Sequence, residues 1–377
     1  MEPIYLDYNA TTPIDTQVVD TMLPFLKQNF GNPSSFHWFG IISKNAIIKA
    51  RIQVANLINC KPEEIVFTSG GTESNNYALR GYAFANRHRG NHIITSVIEH
   101  PSVIEVCKYL EKHDFKVTYL PVDRNGIISV KSVRRVITKE TILISIMHAN
   151  NEVGTIQPIA EIAEIASGKG ICMHTDAAQS LGKITVDVAK LNIDLLSITG
   201  HKIFAPKGVG ALYIKEGTKL EKLIYGAKQE NTCRAGTENV LEIVGLGKAC
   251  EIAEEKFSEN CEHMKKMRDK LWNGLVNEIP DLRLNGHPKQ RLPNTLNVSF
   301  LNMNDYFQIS LFLEIAASAG AACHSNSVNL SPVLEAMKVP KEYAKGTIRF
   351  STGKTTTNKE IDNAIAHITR IYYDQIR

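Results

Sequence analysis

Short apolar runs alternate with stretches of helical periodicity through the first two-thirds of the chain. Glu64–Thr68, His92–Val97, Lys116–Leu120, Ile142–Met147, Gly170–His174, Asp194–Ile198 and Val209–Ile214 read as strands, with helical patterns between most of them. This alternation predicts an α/β fold whose mainly parallel sheet is covered by helices on both faces. A helical pattern then runs from about Val240 to Glu278. Beyond it, a strand over Leu292–Phe300, a helix over Asp305–Ala316, a strand over Thr347–Ser351 and a last helix from Lys359 predict a small α/β domain. The expected division is residues 14–250 for the large domain, and 1–13 with 251–377 for the small one.

Ligands of such sheets bind beyond the carboxyl ends of the strands. The residues there carry the candidate chemistry. Asp176-Ala-Ala-Gln179 follows one strand, and Thr199-Gly-His201-Lys202 follows another. A lysine amine and a carboxylate so placed are what a pyridoxal phosphate (PLP) site needs. The amine forms a Schiff base with the aldehyde, and the carboxylate keeps the pyridine nitrogen protonated. Ser69-Gly-Gly71-Thr72-Glu73 breaks a third strand and opens a helix, so free N–H groups and the positive end of the dipole face any bound phosphate. No Gly-Lys-Ser/Thr follows, which excludes a nucleotide P-loop. Taken singly, these pieces also fit a surface lysine and an ordinary capped turn.

Ser318-Ala-Gly-Ala-Ala-Cys323-His324-Ser325 is a run of small residues ending in a thiol, and loop-like residues follow to Pro332. The expected element is a cysteine-bearing loop over about 319–332. A neighbouring imidazole can raise the thiolate fraction of such a cysteine. A small loop residue without a role is the plain alternative.

Composition narrows the classes. With 43% hydrophobic residues in 377, the chain has ample material for a large core. A net charge of +4 from nearly balanced acids and bases gives no case for nucleic acid or a membrane surface. The N-terminus lacks a signal pattern, and the seven cysteines show no paired spacing, so a reducing, cytoplasmic setting is expected. Cys250, Cys261 and His263 match no zinc spacing and read as a helical core face, so no metal is expected.

Taken together, the chain resembles the cysteine desulfurases and selenocysteine lyases, PLP enzymes of the aminotransferase fold (fold type I). The resemblance runs from Tyr5-Leu-Asp-Tyr-Asn-Ala-Thr-Thr-Pro13 to Thr347-Ile-Arg-Phe-Ser-Thr-Gly353. It includes Phe30-Gly-Asn-Pro-Ser-Ser35, Thr68-Ser-Gly-Gly-Thr-Glu-Ser-Asn-Asn76, Ala149-Asn-Asn-Glu-Val-Gly154, His174-Thr-Asp-Ala-Ala-Gln179 and Arg234-Ala-Gly-Thr-Glu-Asn239. It implies a PLP-dependent transferase of fold type I, with a large domain and a small α/β domain. It further implies that Lys202 holds the cofactor and moves the Cα proton, and that Asp176 pairs with the ring nitrogen. Gln179 and Asn151 would bond the 3′ oxygen, and Gly71, Thr72, Thr199 and His201 the phosphate. Thr237 would complete the phosphate site of a partner subunit, which implies a homodimer with shared sites. His100, otherwise a plain helix-start residue, would stack on the ring. Arg349, otherwise a surface strand arginine, would take the substrate carboxylate together with Asn151. Cys323 would receive sulfur from L-cysteine as a persulfide and pass it to a sulfur-acceptor protein, as in iron–sulfur cluster assembly.

Two departures stand out. Ala319-Gly-Ala-Ala-Cys-His-Ser325 is closer to the selenocysteine lyases, although the length between Cys323 and Pro332 matches the long-loop desulfurases. Gly226-Ala-Lys-Gln-Glu230 replaces a glycine-richer turn. Selenocysteine lyase is therefore the alternative activity, and an inactive scaffold of the same fold is a third reading.

Overall fold

The computed structural model describes residues 3–303, 305–324, 327–343 and 345–376, with the side chains of Asp305 and of 321–330 outside the description. Seven strands form the main sheet. Their order is Ile65–Thr68, Gly210–Ile214, Leu195–Thr199, Cys172–Asp176, Thr141–Ser145, His92–Ser96 and Lys116–Leu120. All run parallel except Gly210–Ile214, which pairs antiparallel with both neighbours.

The inner strands are buried on both faces, which is why they read as continuous apolar runs. Alternate residues nevertheless serve different cores, as the two-residue repeat of a strand requires. Ile94, Ile144, Met173, Leu196 and Ala211 pack on one face with Ile47, Ala50 and Val54 of helix Trp38–Ile58 and Leu246 of helix Val240–Glu255. Ile93, Leu143, Cys172, Leu195 and Leu212 pack on the other with Tyr77 and with Val103, Val106 and Leu110 of helix Pro101–Glu111.

The C-terminal part has its own antiparallel sheet, ordered Ser318–Ala319, Thr347–Ser351, Thr295–Ser299, Arg283–Asn285. Its core gathers Leu271 and Leu275 of helix Phe257–Glu278, Val298, Phe300, Ile348 and Phe350 of the sheet region, Phe307 of helix Asp305–Phe312, and Ile361 and Ile368 of helix Asn358–Ile376. The N-terminal strand Ile4–Tyr5 joins this part by pairing with Ile315–Ala316.

Several boundaries differ from expectation. The helical pattern Val240–Glu278 is two helices broken at Lys256, whose φ of −106° and ψ of 20° leave the helical region. The break lets one half pack on the main sheet and the other on the small core. The helix expected over Asp305–Ala316 stops at Phe312, because Ile315 and Ala316 are taken by the parallel pairing with Ile4 and Tyr5. Tertiary pairing here overrides the local pattern. The strand expected over Gly170–His174 is shifted to Cys172–Asp176, so Asp176 closes the strand itself. The expected loop over 319–332 contains an antiparallel pair, Ala321–His324 against Ser327–Leu330, with Cys323 opposite Val328.

Cys250 is buried in the main core, whereas Cys261, on the next helix, donates its thiol to the carbonyl of Lys183 at 3.1 Å. The helix break at Lys256 separates them, so they share no face. No helix among the described residues is long and apolar enough to cross a membrane.

Candidate active site

A cleft of about 610 Å³ opens at the carboxyl end of the parallel strands. Strand polarity explains what converges there. Thr68, Asp176 and Thr199 are C-terminal strand residues, and the antiparallel strand Gly210–Ile214 starts at the same end, which brings Lys207 and Gly208 to the rim. Gly71, Thr72, His100, Asn151, Asp176, Gln179, Thr199, His201, Lys202 and Arg349, all singled out from the sequence, line this one cleft.

The glycine-rich turn depends on close backbone approach. A Cβ on Gly210 would lie 2.4 Å from the Ile198 carbonyl oxygen and 2.7 Å from Gly70 Cα, and Gly70 has a φ of +148°. Helix starts at Gly71 and continues through a π-helical turn at Tyr77–Gly81 to Ala85. Its open N-terminus faces the cleft beside Thr199. Glu73 secures the turn by accepting the Ser69 N–H at 2.8 Å and pairing with Arg234 at 3.0 Å. Burial raises its carboxyl pKa, but these bonds outweigh burial and hold it below the usual range.

Asp176 accepts the N–H of Ala178 on one oxygen at 2.9 Å and the Asn75 amide on the other at 2.8 Å. The same Asn75 nitrogen donates to Ser102 Oγ at 2.8 Å, and Ser102 Oγ sits 2.8 Å from His100 Nδ1. His100 caps helix Pro101–Glu111, and its Nδ1 accepts the Ser102 N–H at 3.2 Å. Accepting there assigns the ring proton to Nε2 in the neutral form. Burial lowers the His100 pKa; nearby Asp176 opposes that shift and Lys202 adds to it. Asn75 and Ser102 are thus site residues that motif reading passed over. Asn75 sits one helical turn after Gly71, a spacing that puts both on the same side.

Lys202 lies in the short turn Gly200–Lys202. Burial lowers its pKa, which raises the fraction of neutral, nucleophilic amine, although the Asp176 charge pulls the other way. Burial, with the charges of Lys202, Lys207 and Lys183, pushes His201 down to about 4. Its Nδ1 lies 3.2 Å from Thr11 Oγ1. Gln179 donates to the Asn9 carbonyl at 2.9 Å and accepts from Lys183 Nζ at 2.9 Å.

Arg349 projects from strand Thr347–Ser351. One of its terminal nitrogens donates to Asp7 at 2.8 Å and Ser318 Oγ at 2.6 Å, and the other to the Asn151 carbonyl at 3.0 Å. Its buried Nε–H has no partner among the described residues.

Two expected residues stand apart. Thr237 lines a neighbouring hollow of about 110 Å³, which shares Ser69 and Gly208 with the cleft. Cys323 is placed only by its backbone, and its side chain lies outside the described residues. The atypical Gly226–Glu230 turn leads into Glu230, Asn231 and Thr232, all at positive φ. Buried Glu230 there clasps Arg51 at 2.6 Å and accepts the Phe67 N–H at 2.8 Å.

Residues 4–364 match the family model described as "Aminotransferase class-V". A relative from Dictyoglomus turgidum named "Cysteine desulfurase IscS" is 49% identical over 370 residues, covering 98% of this chain and 94% of its own. The solved structure titled "NIFS-LIKE PROTEIN" superposes with a TM-score of 0.93 at 40% identity, covering 99% of this chain and 100% of that one. The structure titled "SspA in complex with cysteine" gives 0.82 at 38% identity, over 94% of this chain and 100% of that one. The chain belongs to the aminotransferase class-V family.

Proposed function

We propose that this chain is a PLP-dependent cysteine desulfurase, converting L-cysteine to L-alanine with sulfur left as a persulfide on Cys323. The observation that carries the reading is the convergence of Lys202, Asp176 and the Gly71 helix N-terminus on one cleft. The donor set fits the cofactor: N–H groups and hydroxyls for a phosphate, a carboxylate for a ring nitrogen, and an amine for an aldehyde. The glycine cradle fits as well, since a Cβ on Gly71 would sit 3.4 Å from Thr199 Cβ and narrow the space. The buried Nε–H of Arg349 and the buried Oδ1 of Asn75 have no partner among the described residues, as befits polar atoms that meet a ligand.

Bound PLP would act as an electron sink for the substrate. Lys202 would bind it and carry the Cα proton, with its lowered pKa favouring the neutral amine. Asp176, oriented by two donors, would face the ring nitrogen. His100 would offer Nε2 toward the reacting face. Arg349 would bind the substrate carboxylate through its remaining N–H groups. The Cys323 thiolate would attack the substrate sulfur, and the C–S bond would break as alanine leaves.

We further propose a homodimer in which Thr237 completes the partner's phosphate site, and a sulfur-acceptor protein that collects the persulfide. The free cysteines Cys60, Cys107, Cys172, Cys233, Cys250 and Cys261 support a reducing, cytoplasmic setting. Separate cores support the division into 14–250 and 1–13 with 251–377. Ala321-Ala322-Cys323-His324 keeps selenocysteine lyase as the second reading.

The test is labelled sulfur from L-cysteine. Label on Cys323, alanine release, and loss of both in Cys323→Ser are expected. Undiminished alanine release from L-cysteine by Cys323→Ser would refute the persulfide route. Turnover of selenocysteine alone by the intact protein would select the second reading.

A further inference from the structure

Lys183 is a buried amine that none of the roles above uses. It follows the turn after Asp176, is only 6% exposed, and does not line the cleft. Its Nζ instead donates to Gln179 Oε1 at 2.9 Å, from behind the residue that does line it. A small cavity of about 30 Å³ between Lys183 and Lys202 is walled by Ile252, Met264 and Phe204.

The orientation of a glutamine amide is settled by its partners. Here the two partners agree. The Asn9 carbonyl can only accept, and it takes an N–H from Gln179 Nε2 at 2.9 Å. The Lys183 amine donates to the opposite end of the amide. A flipped amide would set Oε1 against the Asn9 carbonyl and leave the lysine facing an N–H edge. Such a flip leaves two buried groups without their hydrogen bonds and is disfavoured. With Oε1 held, the second N–H of Gln179 remains for the cleft.

We propose that Lys183 is a positioning residue that fixes the Gln179 amide so that it donates, and never accepts, toward the ring oxygen of bound PLP. The proposal rests on the PLP reading above. With PLP held by Lys202, a ring oxygen receiving this N–H would be stabilised as the anion, so the visible band of the loaded protein would titrate at lower pH. Burial brings the Lys183 pKa down to about 7, with Lys202 and Arg349 pushing the same way and Cys261 opposing. Ammonium and neutral amine both donate to Oε1, so the positioning holds on either side of that value.

The experiment measures the pH midpoint of the visible absorption band of the PLP-loaded protein. Lys183→Met, one atom shorter and unbranched like lysine, removes the donor. It is expected to raise the midpoint by about one pH unit. The same substitution in a Gln179→Ala background is expected to add less than a third of that shift, because Lys183 acts through the amide. Thermal unfolding of the cofactor-free variants confirms that each folds. Should Lys183→Met not fold, Lys183→Leu, which likewise carries no donor, takes its place in the same pair of measurements. An unmoved midpoint in the single variant, or an equal shift in both backgrounds, overturns the positioning role. Absence of any visible band in the wild-type protein with added PLP would instead overturn the PLP reading itself.

Discussion

Asp176 shows how much of a charged residue's behaviour is set by its neutral neighbours. Its two oxygens are each held by one donor, and the Asn75 amide ties it through Ser102 to His100. Asn75→Ala removes the donor to Asp176 Oδ2 and the anchor of Ser102 together. PLP affinity and kcat/KM are expected to fall about tenfold, from about 1.5 kcal/mol lost at a hydrogen bond to a charged group. Cofactor titration of the purified variant checks this, and a wild-type affinity would contradict it. Glu99, beside His100, is buried. It accepts Ser96 Oγ at 2.6 Å and the Met147 N–H at 3.0 Å. Burial pushes its pKa up to about 8, above the value near 4.5 of an unfolded chain. A raised carboxyl pKa means that the folded state holds a proton that the unfolded chain releases. Stability is therefore lost as pH rises from about 5 to 8. Glu99→Gln should remove this slope, gaining about 2 kcal/mol relative to wild type between pH 5.5 and 7.5. Urea unfolding at both pH values reads it out, and parallel behaviour of the two proteins would rule it out. Lys202, Asp176 and His100 were legible because strand ends and a helix start announce them. Asn75, Ser102 and Glu99 were not, because their importance comes from partners distant in sequence.

The elements carry a similar division between what local pattern reveals and what packing decides. The seven main strands stand out because burial on both faces makes them short and apolar. The direction of strand Gly210–Ile214 does not show in its composition. Only the register against Leu195–Thr199 and Ile65–Thr68 reveals that it runs backwards. That reversal places its first residue against Gly70, where no Cβ fits. Gly210→Ala must displace either the Ile198 carbonyl or the glycine-rich turn. We expect a loss of roughly 1–3 kcal/mol in stability, the scale of overpacking a core position. Weakened PLP binding should accompany it. Gly208→Ala is a control without steric conflict, since a Cβ there meets nothing within 4 Å, although its φ of +81° carries its own backbone cost. Chemical denaturation of both separates contact from conformation, and equal losses would show that the contact contributes nothing. The helix break at Lys256 and the strand pairing of Ile315–Ala316 were equally hidden, because each is imposed by a neighbour rather than by periodicity.

Across the whole molecule, the two expectations of a shared site and a lysine-bound cofactor can be tested in one mixture. Lys202→Ala and Thr237→Ala chains lack different halves of the proposed site. Refolded together, they should form hybrids in which one site regains both halves. Activity should rise above that of either variant alone, and its absence despite hybrid formation would refute the trans contribution of Thr237. Acid behaviour is also a property of the whole. His148 and His174 are buried and held down to about 4, mainly by desolvation. Because these folded pKa values are depressed below about 6.5, the unfolded chain takes up protons that the folded one refuses. Stability should therefore fall as pH drops from about 6.5 toward 4, with close to two protons taken up at these residues on unfolding near pH 5. Replacing His174 by Gln should remove about one of them, as the pH dependence of unfolding free energy would show. The ion pair between Glu73 and Arg234 has a further consequence. It fastens the glycine-rich turn to the segment that carries Thr237, so in the proposed dimer cofactor and partner subunit would grip the same piece of backbone. Linkage would then make the two affinities reciprocal: whatever factor PLP added to subunit association, association would return to PLP. Dilution alone should loosen the cofactor, and cofactor alone should hold the pair together.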